Sequence, residues 1–219
     1  MKKSNNNKLG IIFTPIIFCL VMCLALTAVV LPKYDKLSSL LGMFISDTQI
    51  DYSSAYENIF VPTKNSGDTV NAEDVDFPGL NKQFGKLSIE GADVDAKLFY
   101  GDGTVPLRNG VGIYGGSFIP GYGKTILVAG HNNTYFNGLK NVKKGDIIKI
   151  RTSYGNYEYK ITDTAIHDSK NTSAYDLEAD YENLILYTCY PFDGLGLTNL
   201  RFFVYAEKVK GPEIVGLYE

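Results

Sequence analysis

Leu184-Ile185-Leu186-Tyr187-Thr188-Cys189 is an apolar run that ends on a cysteine, and a second run, Leu200-Arg201-Phe202-Phe203-Val204-Tyr205-Ala206, follows after one loop. Both are short and rich in branched and aromatic residues, the composition of strands. If the two pair antiparallel across residues 190–199, the end of the first meets the start of the second. Arg201 then lies close to Cys189. It shares a strand face with Phe203 and Tyr205. A cation at the start of an otherwise apolar strand is costly unless it has a partner or a task.

Working outward, the chain from about Phe77 onward reads as short β-like runs separated by turn signals. The predicted strands are Gly85–Ile89, Ala96–Phe99, Gly112–Tyr114, Thr125–Ala129, Ile147–Thr152, Asn156–Ala165, Asn183–Thr188 and Leu200–Glu207. Tyr154-Gly155-Asn156 is a turn between two of them, and Tyr157, Tyr159 and Ile161 alternate along the second. Asn133–Val142 is the best short-helix stretch. Eight short strands around one core predict an all-β fold closed into a single barrel with one or two short helices, because closure removes exposed strand edges.

Ahead of this domain, residues 9–32 carry no charged side chain. At about 1.5 Å rise per residue such a helix covers the roughly 30 Å hydrocarbon core, which predicts a transmembrane anchor. Lys2, Lys3 and Lys8 precede it without an acidic residue, so residues 1–8 are expected to be a cytoplasmic tail and the remainder extracytoplasmic. The rival reading is a cleaved signal peptide; the run is longer than the usual signal core and no clean small-x-small cleavage site follows it. Residues 33–76 read as an extracytoplasmic helix and linker, with Leu37, Leu40, Leu41 and Phe44 at helical spacing and a polar stretch at 62–76. The barrel is then expected over 77–219.

The chain is 45% apolar with a net charge of −3, and no basic stripe points to nucleic acid. Of its three cysteines, Cys19 and Cys23 fall inside the anchor, where they read as apolar filler. Cys189 is thus one unpaired thiol in an exported domain, and such a thiol is a candidate nucleophile. Asn132-Asn133-Thr134 and Asn171-Thr172-Ser173 match the glycosylation pattern and read as ordinary loops.

A working cysteine needs a proton-accepting or positive neighbour, since the thiolate is the nucleophile. The chain has two histidines. His131 follows Ile126-Leu127-Val128-Ala129 and the flexible Gly130, at a strand end, and is the expected general acid and base. His167, within Ile166-His167-Asp168-Ser169-Lys170, reads as a solvated loop residue whose removal is nearly silent. Arg201 could hold a carbonyl or an oxyanion. Thiol, imidazole and guanidinium at strand ends suggest covalent acyl transfer, with no cofactor or metal site read from the scattered acids.

These residues carry a family resemblance. The run Leu184 to Cys189 resembles the nucleophile motif of sortases, the membrane-anchored cysteine transpeptidases of Gram-positive bacteria, and Tyr190-Pro191-Phe192 is most like class D. Gly110-Val111-Gly112-Ile113-Tyr114-Gly115-Gly116-Ser117 with Pro120-Gly121 is similar to the approach to the family histidine. Gly130-His131-Asn132-Asn133-Thr134 resembles the histidine motif, and Phe136, Leu139, Gly145 and Asp146 follow at family-like spacing. The resemblance implies an eight-stranded sortase-type barrel in the C-terminal region. It implies surface proteins bearing a Leu-Pro-x-Thr-type C-terminal sorting signal as substrates, and a peptidoglycan precursor or other amine as acceptor. By residue match, Cys189 would be the nucleophile, His131 the acid and base, and Arg201 the oxyanion or positioning residue. Thr188 would line the pocket with its hydroxyl, with Tyr187 and Tyr190 contacting substrate, and residues 166–182 would occupy the place of the recognition loop. Ile89-Glu90 and Ile113 depart from the family pattern, which commonly has Ile-Pro and, in class D, His there.

Two other classes compete. A hydrolytic cysteine peptidase would release the acyl group to water, although its usual order, with the histidine downstream of the cysteine, is absent. A non-enzymatic anchored barrel would merely bury Cys189.

Overall fold

In the computed structural model the described residues are 15–25, 27, 67–192 and 198–217. The chain divides into two compact units, Met1–Ile50 and Asp51–Glu219. In the first, residues 15–25 are helical. Among the described residues no helix is long and apolar enough to cross a membrane. The rest of the expected anchor, and the amphipathic helix expected around Leu37 to Phe44, lie outside the described residues.

The second unit holds ten strands among its described residues. Eight close a barrel in the order β2-β3-β4-β5-β8-β9-β7-β6. These are β2 (Gln83–Ile89), β3 (Val94–Tyr100), β4 (Val111–Ile113), β5 (Thr125–Ala129), β6 (Ile147–Thr152), β7 (Asn156–Asp168), β8 (Asn183–Cys189) and β9 (Leu200–Lys210). Each overlaps a strand expected from the sequence. The alternation on β7 holds: Tyr157, Tyr159 and Ile161 are all buried and point into the barrel.

Two short strands complete the unit. β1 (Thr69–Asn71) pairs in parallel with β10 (Glu213–Val215). The stretch read as linker up to residue 76 is therefore partly folded: β1 and a 3-10 turn at Ala72–Asp74 precede the expected start of the domain. The helix expected at Asn133–Val142 is a 3-10 turn, Asn137–Asn141, and a short helix not foreseen, α1, spans Thr104–Asn109.

The barrel wall at β5, β8 and β9 is covered on both faces. Leu184, Leu186, Val204, Ala206, Ile126 and Val128 point inward to the main core. On the outer face, Leu127, Ile185 and Phe203 form a second cluster with Ala174, against which Tyr175 and Leu177 of the β7–β8 segment pack. All five residues of β5 are consequently buried.

The end of the barrel where β5 and β8 begin is locked by one carboxylate. Glu182 accepts hydrogen bonds from Gly121 N at 3.1 Å, Gly123 N at 3.1 Å, Tyr159 Oη at 2.6 Å and Lys208 Nζ at 3.2 Å. Its side chain is 5% exposed. Burial beside this carboxylate pushes the Tyr159 phenol well above its ordinary value.

Candidate active site

The opposite end of the same three strands carries the candidate residues. β8 and β9 are antiparallel with Cys189 opposite Arg201, so the two meet across the loop as the sequence predicts. β5 runs parallel to β8 with Ala129 opposite Tyr187, and the pairing continues one step: Gly130 N donates to Tyr187 O at 3.2 Å. The Thr188 hydroxyl donates to Gly130 O at 2.7 Å. His131 is the next residue after this doubly held glycine. The row across β5, β8 and β9 thus brings together His131, Cys189 and Arg201.

Direct partners in a ladder share a face. Cys189 therefore lies on the outer face with Tyr187, Arg201 and Phe203, and is half-buried. The Tyr187 ring stacks on Phe203 with centroids 5.8 Å apart, and its hydroxyl stands 3.5 Å from Asp102 Oδ2. Burial, with the Asp102 carboxylate adding to it, pushes the Tyr187 phenol up. Arg201 Nη1 donates to Thr198 O at 2.8 Å and Leu200 O at 2.9 Å. These bonds hold the guanidinium against the chain entering β9. Among the described residues only this nitrogen of Arg201 is engaged.

Two of the expected substrate-contact residues face the side away from Cys189. Thr188 is 2% exposed, faces inward by strand alternation, and donates its hydroxyl to Gly130 O, which holds the histidine turn. Tyr190 also falls on the side away from Cys189, where its ring stacks on Phe202 at 6.5 Å and meets Phe192 at 6.1 Å. His167 is not in a loop. It belongs to β7, is half-buried, and pairs in register with Arg201.

The histidine turn is held by residues of its own motif together with Asn137, which the sequence did not flag. Asn132 is 4% exposed, and its Nδ2 donates to Pro191 O at 2.9 Å, tying the turn to the chain just past Cys189. Asn137 Nδ2 donates to Asn132 O at 2.8 Å. Gly130 is required by close approach: a Cβ there would meet Phe136 Cδ2 at 2.5 Å. His131 itself is half-buried, and that burial lowers its pKa from the ordinary 6.5, favouring the neutral imidazole.

A closed barrel with a half-buried thiol at one strand end, an arginine on one side and a histidine turn on the other, has the groups that cysteine nucleophile chemistry uses. Comparison with known proteins narrows the class. Residues 87–209 match the Sortase domain. Sortase D of Bacillus subtilis (strain 168) is 33% identical over 147 residues, covering 67% of this chain and 74% of that protein. Listeria monocytogenes sortase A superposes with a TM-score of 0.53 at 27% identity, over 61% of this chain and 92% of that one. A Clostridium perfringens Sortase D5 transpeptidase shares the fold, with a TM-score of 0.55 at 20% identity over 63% of this chain and 86% of that one. The chain belongs to the sortase family, and is accordingly a cysteine transpeptidase. Sortases as a family act on sorting-signal substrates and amine acceptors.

Proposed function

We propose that this sortase cleaves a Leu-Pro-x-Thr-type C-terminal sorting signal and transfers the protein to a cell-wall amine through a thioester on Cys189. The observation that carries the reading is the row across three strands: Arg201 opposite Cys189 on one side, and on the other the Gly130 carbonyl bonded by Thr188 with His131 next in the chain. His131, neutral at rest, takes the proton of the Cys189 thiol; the thiolate so formed attacks the carbonyl after Thr, and the N–H groups of Arg201 not used on the backbone stabilise the resulting oxyanion. His131 gives a proton to the departing amine as the C–N bond breaks. The acceptor amine then loses a proton to His131 and attacks the thioester, and the thiolate leaves. Tyr187, on the face of Cys189, contacts the substrate.

In this reading residues 9–32 hold the enzyme in the cell membrane as a single pass, with residues 1–8 cytoplasmic and the barrel outside a Gram-positive cell. The charge asymmetry around the apolar run supports it.

Intact-mass spectrometry of the full chain in detergent, with Leu-Pro-x-Thr-x peptides and with or without an amine, tests the reading. An acyl adduct on Cys189 that an amine converts to ligated peptide is expected. Peptide cleavage indifferent to any amine would make the chain a hydrolase toward these substrates. No adduct with any peptide, together with a Cys189 inert to thiol reagents, would remove it from this chemistry.

A further inference from the structure

Arg201 has two register partners. Cys189 faces it from β8 and His167 from β7. Directly opposed residues of antiparallel strands share a face, with Cα atoms about 4.5–5.5 Å apart. Thiol, guanidinium and the second imidazole therefore form one row. The His167 ring is fixed on that face by Phe203, with centroids 5.6 Å apart at 65°. Phe203 is the same ring that stacks on Tyr187.

The protonation of His167 follows from its neighbour. Asn171 Oδ1 accepts from Ser173 N at 3.1 Å and from Ser173 Oγ at 2.6 Å. With its oxygen so engaged, Asn171 turns its NH2 group to His167, and Nδ2 stands 3.3 Å from Nδ1. An amide NH2 only donates, so this contact is a hydrogen bond when Nδ1 offers its lone pair, which is the Nε2–H tautomer. This bond joins β7 to the 3-10 turn Thr172–Ala174. Ala174 of that turn, with Tyr175 after it, packs on Leu127, Ile185 and Phe203, so the turn covers the outer face on which Cys189 lies.

We propose that His167 is a positioning residue of the transpeptidation site. Accepting at Nδ1 from Asn171, it locks the β7–β8 segment to the strand row that carries Arg201 and Cys189. It acts by setting where that segment stands beside the bound peptide, not by exchanging protons with it. The consequence for substrate binding rests on the sortase reading above; the tautomer does not.

Two measurements on the full chain in detergent test this. The first is the imidazole 15N NMR spectrum near neutral pH, with His167 assigned by its loss in His167→Asn. Wild type should show the Nε2–H form, and Asn171→Ala should populate both tautomers. A wild-type ring protonated on Nδ1 overturns the lock. The second is steady-state cleavage of a sorting peptide. His167→Ala should raise KM about fivefold with kcat within about twofold, the pattern of lost binding rather than lost chemistry. His167→Asn, whose amide oxygen falls near the place of Nδ1, should restore KM. An unchanged KM in His167→Ala, or a collapse of kcat at constant KM, overturns the positioning role. Should wild type cleave no sorting peptide, the substrate reading fails, while the spectra still decide the lock.

Discussion

Thr188 donates its hydroxyl to the carbonyl of Gly130 at 2.7 Å, and in doing so fixes the backbone step that carries His131 next to the one that carries Cys189. The two functional side chains are far apart in sequence, and this buried bond between their immediate neighbours sets their spacing. The threonine before the cysteine matters through geometry although it faces away from the outer surface.

Thr188→Val keeps the shape and removes the donor, leaving a buried carbonyl short of its partner. A loss of about 1–3 kcal/mol of stability is expected from that unpaired group. A fall in kcat larger than any rise in KM should accompany it, while Thr188→Ser retains most activity. Urea unfolding and steady-state kinetics on the three proteins check both; a fully active Thr188→Val would detach the bond from catalysis.

Arg201→Lys should lose most activity. The guanidinium can bind Thr198 O and Leu200 O through one nitrogen and keep other N–H groups for an oxyanion, which a single ammonium cannot reproduce in that geometry. The rate of acyl-adduct formation reads the effect directly, and wild-type rates would take Arg201 out of the mechanism.

Glu182→Ala should be among the most destabilising single changes. It strands a Lys208 side chain that is only 16% exposed and removes the acceptor of Gly121, Gly123 and Tyr159. Breaking a buried pair by deleting one partner costs about 3–5 kcal/mol. The readout is the urea midpoint, with Cys189 reactivity toward a thiol reagent retained in the protein that remains folded.

The buried His131 makes stability depend on pH. Its folded pKa lies below the ordinary 6.5, so between the two values the unfolded chain binds more protons than the folded one. Stability from this residue is complete above about pH 6.5 and declines as pH falls toward the folded value. Unfolding free energies measured from pH 8 to 5 should fall less steeply in His131→Asn than in wild type; identical slopes would place His131 in water.

The eight barrel strands were legible because each buries one face and alternates, or is flanked by turn residues, and closure follows from the need to satisfy their edges. The cysteine and arginine were placed correctly from one assumption, antiparallel pairing across a single loop. β1 and β10 escaped because each is three residues long with one buried side chain, too little pattern to stand out from polar sequence. α1 was hidden by Pro106, which its first turn tolerates. The inward facing of Thr188 and Tyr190 was legible too, since strand alternation from Cys189 sends both to the opposite face. His167 was masked by its polar neighbours, since β7 continues to Asp168 through residues with only one face covered. Glu182 gave no signal at all, because its partners lie on distant segments that only the closed barrel assembles.

The clasp between β1 and β10 ties the two ends of the described unit to one pole of the barrel. Ile214 N donates to Gly121 O, so the clasp sits where β5 begins and β9 has just ended, at the pole remote from Cys189. The first and last strands of this unit are therefore joined at one pole of the barrel, and the thiol stands at the other.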